Sequence, residues 1–257
     1  MLGGDPSAGS GRAPDELAVE EPLEIRLDEV VVATTMRTPG HDFELAVGWC
    51  HAEGLLAGHE VRSVRYCGTG SAVETEFNVV SVSTGGAAPV AVARLAATSS
   101  SCGLCGSTAI DELVDRIGAV AGASTFATEV LAAMPDRLRG EQPLFDATGA
   151  VHAAGLFDAG GNLHVVREDI GRHNAVDKAV GRLVLDGRVP ATDLGLVVSG
   201  RASFEIVQKA WAAGVATVVA VSAPSALAVE VARRAGMTLA GFARGGTLRL
   251  YAGPDLP

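Results

Sequence analysis

The sequence predicts an α/β fold in which a C-terminal three-layer α/β/α domain follows a smaller N-terminal α+β domain. Three observations carry that expectation. Beyond Val151, three short apolar segments at 194–198, 216–221 and 238–242 are separated by helical stretches that start near Ser203 and Pro224 and end at Gly214 and Gly236. Such alternation builds a parallel sheet with crossover helices on its faces. Before the Gly/Pro-containing stretch 134–143 the pattern consists instead of strand pairs and single helices. Finally, 48% of the 257 residues are hydrophobic, so a core of ordinary size is available without disulfides or structural metals.

In chain order, residues 1–20 are rich in Gly, Pro, Ser and Ala, lack the apolar stretch of a secretory signal, and read as a flexible tail. Residues 23–27 and 30–36 carry alternating and β-branched side chains around Asp28-Glu29 and read as a strand pair. Arg37-Thr38-Pro39-Gly40 breaks the pair. The apolar set Phe43, Leu45, Ala46, Val47, Trp49 and Cys50 then predicts a helix that ends near Gly54. Residues 61–66, 77–82 and 90–95 read as further strands, and the small, polar stretch 96–107 as a loop. Thr108 and Asp111 form a capping-box-like pair ahead of Leu113, Val114 and Ile117, so the cysteine loop at 98–107 should enter a helix N-terminus. The stretch 134–143 is the expected boundary, which gives domains at 21–135 and 136–257. A hairpin then turns at Ala159-Gly160-Gly161-Asn162, and a helix over 175–185 leads into the α/β alternation.

Composition excludes several function classes. Thirty Asp and Glu against 20 Lys and Arg leave a net charge of -10, which argues against a general nucleic-acid binder. The most apolar window, 212–232, is interrupted by Ser222, Pro224, Ser225 and Glu230, so it reads as a strand and a helix and no membrane span is expected. Four cysteines make a disulfide scaffold unlikely and point to a reducing, cytoplasmic setting.

The informative cysteines are Cys102-Gly103-Leu104-Cys105-Gly106. Two thiols three residues apart in a Gly-flanked loop can approach one another or a shared electrophile. A neighbouring helix N-terminus favours the thiolate, which can attack a sulfane sulfur and hold it as a persulfide. Half of a structural zinc site, a simple dithiol couple and an inert pair are the competing readings. His51-Ala52-Glu53 together with Cys102-x-x-Cys105 also resembles the signature of zinc nucleobase deaminases, although Ser101 stands where that signature has Pro. For His51 the plainer reading is a partly exposed helix histidine.

Three loops that follow predicted parallel strands form a second set: Ser199-Gly200-Arg201, Ser222-Ala223-Pro224-Ser225 and Phe242-Ala243-Arg244-Gly245-Gly246-Thr247. In a parallel sheet they converge at the carboxyl ends of the strands, where backbone N–H groups with Arg201 and Arg244 suit a phosphate-bearing ligand. The segment 167–178 packs seven ionisable side chains between a strand and a helix. A solvated helix start, capped by Asp169 or Asn174 with Asp177 and Lys178 outward, accounts for some of them. The clustering of Arg167, Arg172 and His173 points instead to ligand contacts or to orientation of the cysteine loop.

Together these residues resemble the FdhD family, the accessory sulfurtransferases of formate dehydrogenase. The resemblance runs through Glu21-Pro22-Leu23, Met36-Arg37-Thr38-Pro39-Gly40 with Asp42 and Glu44-Leu45, the cysteine motif, Glu168-Asp169-Ile170-Gly171-Arg172-His173-Asn174-Ala175-Val176-Asp177-Lys178, Ser199-Gly200-Arg201 and Phe242-Ala243-Arg244-Gly245. It implies a cytidine-deaminase-like C-terminal fold and an enzyme that accepts sulfur from a cysteine desulfurase. That sulfur would pass to a molybdenum or tungsten cofactor with two pterin guanine dinucleotides, Mo-bis(molybdopterin guanine dinucleotide), carried as cargo for formate dehydrogenase with no permanently bound metal. By resemblance Cys102 carries the persulfide, Cys105 is the second loop thiol, and Phe242, Ala243, Arg244, Gly245, Gly246 and Thr247 hold the guanine nucleotide. Ser199, Gly200, Arg201, Ser222, Arg172 and His173 complete the expected cofactor contacts. Shielding a persulfide from water is a reason to expect a homodimer interface or a channel. A non-catalytic cofactor chaperone and a zinc-dependent deaminase-like enzyme are the alternatives.

Overall fold

The computed structural model describes residues 15–67, 72–89, 118, 120 and 124–253. The expected strand at 90–95, the cysteine loop with Cys102 and Cys105, and the helix beginning near Ser107 lie outside these residues. The first sheet has the order β2-β1-β4-β3 and comprises β1 (Glu21–Leu27), β2 (Val30–Arg37), β3 (Ser63–Tyr66) and β4 (Val79–Ser83). β1 and β2 form the expected antiparallel pair around Asp28 and Glu29, and β1 runs parallel to β4. Leu23, Ile25 and Leu27 alternate inward along β1, the period-two pattern of a half-buried strand. They pack with Val80 and Val82 against Leu45, Ala46 and Cys50 of α1 (Asp42–Ala52).

The second half of the chain opens with α2 (Thr128–Arg139) and α3 (Pro143–Thr148). A six-stranded sheet follows in the order β10-β9-β8-β7-β5-β6, made of β5 (His152–Phe157), β6 (Leu163–Asp169), β7 (Gly195–Val198), β8 (Thr217–Ala220), β9 (Thr238–Arg244) and β10 (Thr247–Ala252). β7, β8 and β9 are parallel, as the alternation predicts. Helices α4 (Arg172–Leu185), α5 (Phe204–Ala212) and α6 (Ala226–Arg234) supply the crossovers. Their Val176, Val180, Leu183, Val207, Trp211 and Val231 meet Leu156, Leu196, Val218 and Leu239 on one face of the sheet. Leu131, Met134 and Leu138 of α2 meet Phe157, Val197, Val219 and Ala240 on the other. The result is the expected three layers.

Two elements differ from expectation. The stretch 134–143 is not an open connection throughout, because residues 134–139 belong to α2. A buried stripe of Leu131, Met134 and Leu138 at helical spacing keeps the helix going through Pro135. The segment after Arg244, read as a loop, turns at Gly245-Gly246 and returns as β10 antiparallel to β9. Both glycines have positive φ, 55° and 72°, which suits so tight a reversal.

One crossing ties the two sheets' helices together. A Cβ on Gly48 of α1 would overlap the Asp177 carbonyl of α4, and one on Gly181 would overlap the Glu44 carbonyl. Only glycine lets these two backbones approach so closely. Among the described residues no helix is long and apolar enough to cross a membrane.

Candidate functional site

The charged segment 167–178 divides into two sets with different surroundings. At the seam between α1 and α4, Lys178 is 1% exposed and uses all three N–H groups, on Asp169 Oδ2 (2.7 Å), Thr38 O (2.9 Å) and Glu168 O (3.3 Å). Asp169 also accepts from the backbone N–H groups of Thr38 (3.2 Å) and Gly171 (2.8 Å) and from Asn174 Nδ2 (3.0 Å). Arg167 forms a two-pronged pair with Glu44, Glu168 caps the start of α3 through the Leu144 and Phe145 N–H groups, and Asp177 meets Lys209 at 2.7 Å. Arg37, also buried, grips Asp42 with two nitrogens. Asp177 and Lys178 therefore face inward, contrary to the solvated helix start, because their partners arrive from α5 and from the segment after β2. Burial pushes the Asp177 carboxyl up to about 6 even with Lys209 beside it. A seam so fully paired reads as structural glue.

Arg172 and His173 are the members of the segment that this seam does not consume. They occupy the first turn of α4, where an acidic residue would suit the helix dipole and none is present. The Arg172 Nε is buried and has no hydrogen-bond partner among the described residues. An unmet guanidinium N–H costs about 1–3 kcal/mol or more, so it marks a place where an acceptor belongs. His152, at the start of β5, faces the same spot: a Cβ on Gly200 would sit 3.5 Å from its Nδ1 and 3.9 Å from Arg172 Cδ. His173 Nε2 lies 3.1 Å from Ser203 Oγ and 3.7 Å from Glu205 Oε2. Burial, then the charge of Arg172, holds both His152 and His173 below the ordinary imidazole range, His173 at about 4. Both rings are thus neutral at pH 7, able to donate from one nitrogen and accept at the other.

The three sequence-predicted loops do converge. Parallel hydrogen bonding continues past the strand ends, with Ser222 N–H donating to Gly200 O (3.3 Å), Phe242 N–H to Ser222 O (3.1 Å) and Ser225 N–H to Ala202 O (3.0 Å). Ser199 Oγ is fixed by the Ala153 N–H at 2.9 Å. His152, Ser199-Gly200, Ser222 and Phe242 consequently stand in a row along one sheet edge. Three strand spacings separate β5 from β9, so the row spans roughly 15 Å.

At the far end of the row, Phe242 holds a left-handed φ of 51°, unusual for a bulky aromatic and therefore strained. Its ring lies 5.2 Å from the Arg249 guanidinium carbon, and a cleft of about 320 Å³ is lined by Phe242, Arg244, Thr247, Leu248 and Arg249. Arg244, Gly245, Gly246 and Thr247 are exposed there, as is Arg201 beside Gly200. Ala243 is the exception, for its side chain is fully buried in the core with Leu131 and Val219. Only its backbone is available to a ligand.

Of the remaining candidates, His51 is half-buried and its Nε2 meets Ala212 O at 2.9 Å, a helix-packing role. Cys50 is sealed in the first core. Burial, with Asp177 and Glu53 nearby, pushes its thiol up to about 12, so it is inert as a nucleophile. His152, Ser203 and Glu205 are site residues that sequence reasoning missed. A lone histidine opening a strand, a serine at a helix N-cap position and an acidic residue in a helix's first turn are all ordinary local chemistry.

Comparison with known proteins places this geometry in context. The model of the FdhD/NarQ family matches residues 18–256. The chain is 50% identical over 250 residues to the sulfur carrier protein FdhD of Nocardia farcinica, covering 96% of this chain and 89% of that protein. The protein of the same name from Corynebacterium efficiens is 49% identical, with 93% and 90% covered, and that of Mycobacterium tuberculosis 47% identical, with 94% and 91% covered. Among solved structures, a proposed formate dehydrogenase accessory protein from Desulfotalea psychrophila superimposes with a TM-score of 0.71 at 25% identity, over 94% of this chain and 90% of that one.

Proposed function

The chain belongs to the FdhD/NarQ family, and on that premise we propose that it is a sulfur carrier serving formate dehydrogenase maturation. What carries this reading is half-identity, over almost the whole chain, to proteins named as sulfur carriers, in a sequence that contains the Cys102-x-x-Cys105 pair. Cys102 accepts the sulfur. Its thiolate attacks the outer sulfur of a persulfide on a cysteine desulfurase, a new S–S bond forms at Cys102, and the donor cysteine leaves as a thiolate. Cys105 then either takes the sulfur in relay or attacks the inner sulfur of Cys102. The second route expels sulfide and leaves a disulfide, with the two thiols supplying the two electrons that reduce the sulfane sulfur.

The cargo in this reading is Mo-bis(molybdopterin guanine dinucleotide), held along the edge row. A cation at one end, a strained aromatic with two arginines at the other and roughly 15 Å between them suit an elongated, phosphate-bearing nucleotide better than a single phosphate. The Arg172 Nε supplies a donor that nothing among the described residues satisfies, and Ser222 and the Gly200 backbone line the middle. The metal belongs to the cargo and supplies the electrophile that receives sulfur.

The test is mass spectrometry of the protein after incubation with a desulfurase and cysteine. Wild type should gain one sulfur on the peptide containing Cys102, and Cys102→Ala should gain none there. A persulfide formed equally well in Cys102→Ala would refute the assigned carrier. If formate dehydrogenase still matures with both loop cysteines replaced, the protein is instead a chaperone for the cofactor.

A further inference from the structure

Resting on the reading that the sheet edge takes a phosphate-bearing ligand, we propose that its Arg172 end is a proton-coupled clasp. A phosphate oxyanion seated against Arg172 draws a proton onto His173, and Glu205 balances the imidazolium that forms.

The argument begins with what surrounds His173. Arg172 precedes it on α4, His152 approaches from β5, and Ser203, Glu205 and Lys209 face it from α5. Three of these neighbours, Arg172, Lys209 and His152, oppose a positive charge on the ring, and burial opposes it further. Glu205 alone among them favours it, at 3.7 Å from Nε2. In the free protein the ring is therefore neutral, and Arg172 supplies the positive charge at this end of the edge.

An anion at Arg172 reverses that balance. It cancels the neighbour that contributes most, after burial, to keeping His173 neutral, and it adds a negative charge beside the ring. Glu205 is already an anion. Burial would raise its carboxyl, but its own backbone N–H, the Ser203 hydroxyl and the Arg172 guanidinium counter that and hold it low. The counter-ion is thus in place before the proton arrives. Among the described residues no acceptor has to give up a bond at Arg172 Nε.

The sign of the pH dependence follows. His173 binds a proton more tightly in the complex than in the free protein, so binding takes up a proton and strengthens as pH falls through the raised value of the complex toward the free value of about 4. A permanently double cation is not sustained in the free protein, because burial and the charges of Arg172 and Lys209 oppose the second charge. Release needs only the return of that proton.

The probe is sulfate, whose own charge is constant over this range, with GDP as a nucleotide reference. The imidazole resonances of the full chain are titrated by NMR without and with saturating sulfate. His173 should titrate near its low free value without sulfate and at least about one pH unit higher with it. In Arg172→Met the free ring should titrate higher than in wild type and no longer respond to sulfate. In His173→Gln, sulfate affinity should become flat between about pH 6 and about pH 4, the range in which wild-type affinity rises. Sulfate binding at this edge with an unchanged His173 titration overturns the clasp and leaves the ligand reading standing. Failure of both sulfate and GDP to perturb any edge residue removes the ligand reading, and the clasp with it.

Discussion

The seam between α1 and α4 and the carboxyl edge of the second sheet draw on the same run of charged sequence, yet they treat it in opposite ways. At the seam every charge has found its partner: Lys178 with Asp169, Arg167 with Glu44, Asp177 with Lys209. At the edge, one residue turn away, Arg172 Nε has none and two imidazoles are kept neutral. The difference teaches that burial of a charge does not by itself reveal its purpose. Burial with complete pairing holds the fold together, whereas burial with an unmet donor leaves a position for an acceptor that the described residues do not supply.

Breaking the seam should have the largest effect. Lys178→Met leaves Asp169 buried opposite a methyl group and removes bonds to two carbonyls, and should lower the unfolding free energy by about 3–5 kcal/mol in urea titration. A loss below about 1 kcal/mol would mean that the seam charges contribute little and that the contrast with the edge is false. Next comes the helix crossing. Gly181→Ala sets a methyl group against the Glu44 carbonyl and should cost about 1–3 kcal/mol or more, since neither backbone can withdraw without disturbing the Arg167–Glu44 and Lys209–Asp177 pairs. An unchanged unfolding midpoint would show that the two helices are free to separate.

Much of this architecture was legible in the sequence, and the exceptions have physical causes. The β1–β2 pair, the hairpin at Gly160-Gly161 and the alternation of β7, β8 and β9 with α5 and α6 follow from local periodicity and turn residues, which act over a few positions. The convergence of Gly200, Ser222 and Phe242 followed from parallel topology alone. What could not be read was set by distant partners. The inward turn of Asp177 and Lys178 depends on Lys209 and on Thr38, 32 and 140 residues away. β10 escaped notice because Thr247, Arg249 and Leu250 are exposed on an edge strand, which weakens the alternation that marks a half-buried one. The division of residues 167–178 into paired charges and an unmatched donor was likewise invisible, because composition does not say which charges will be paired.

Arg172→Met should have the smallest effect on folding and the largest on binding, and it tests the central claim most directly. Deleting an unmet donor removes its burial cost and should leave the unfolding free energy no lower than that of wild type, so any loss of affinity can be assigned to the site. The decisive measurement is an equilibrium titration with GDP of wild type and Arg172→Met side by side. The account predicts binding by wild type and a weakening of roughly 10- to 100-fold in the variant, the worth of one charged hydrogen bond. Equal affinity for the two proteins would contradict it.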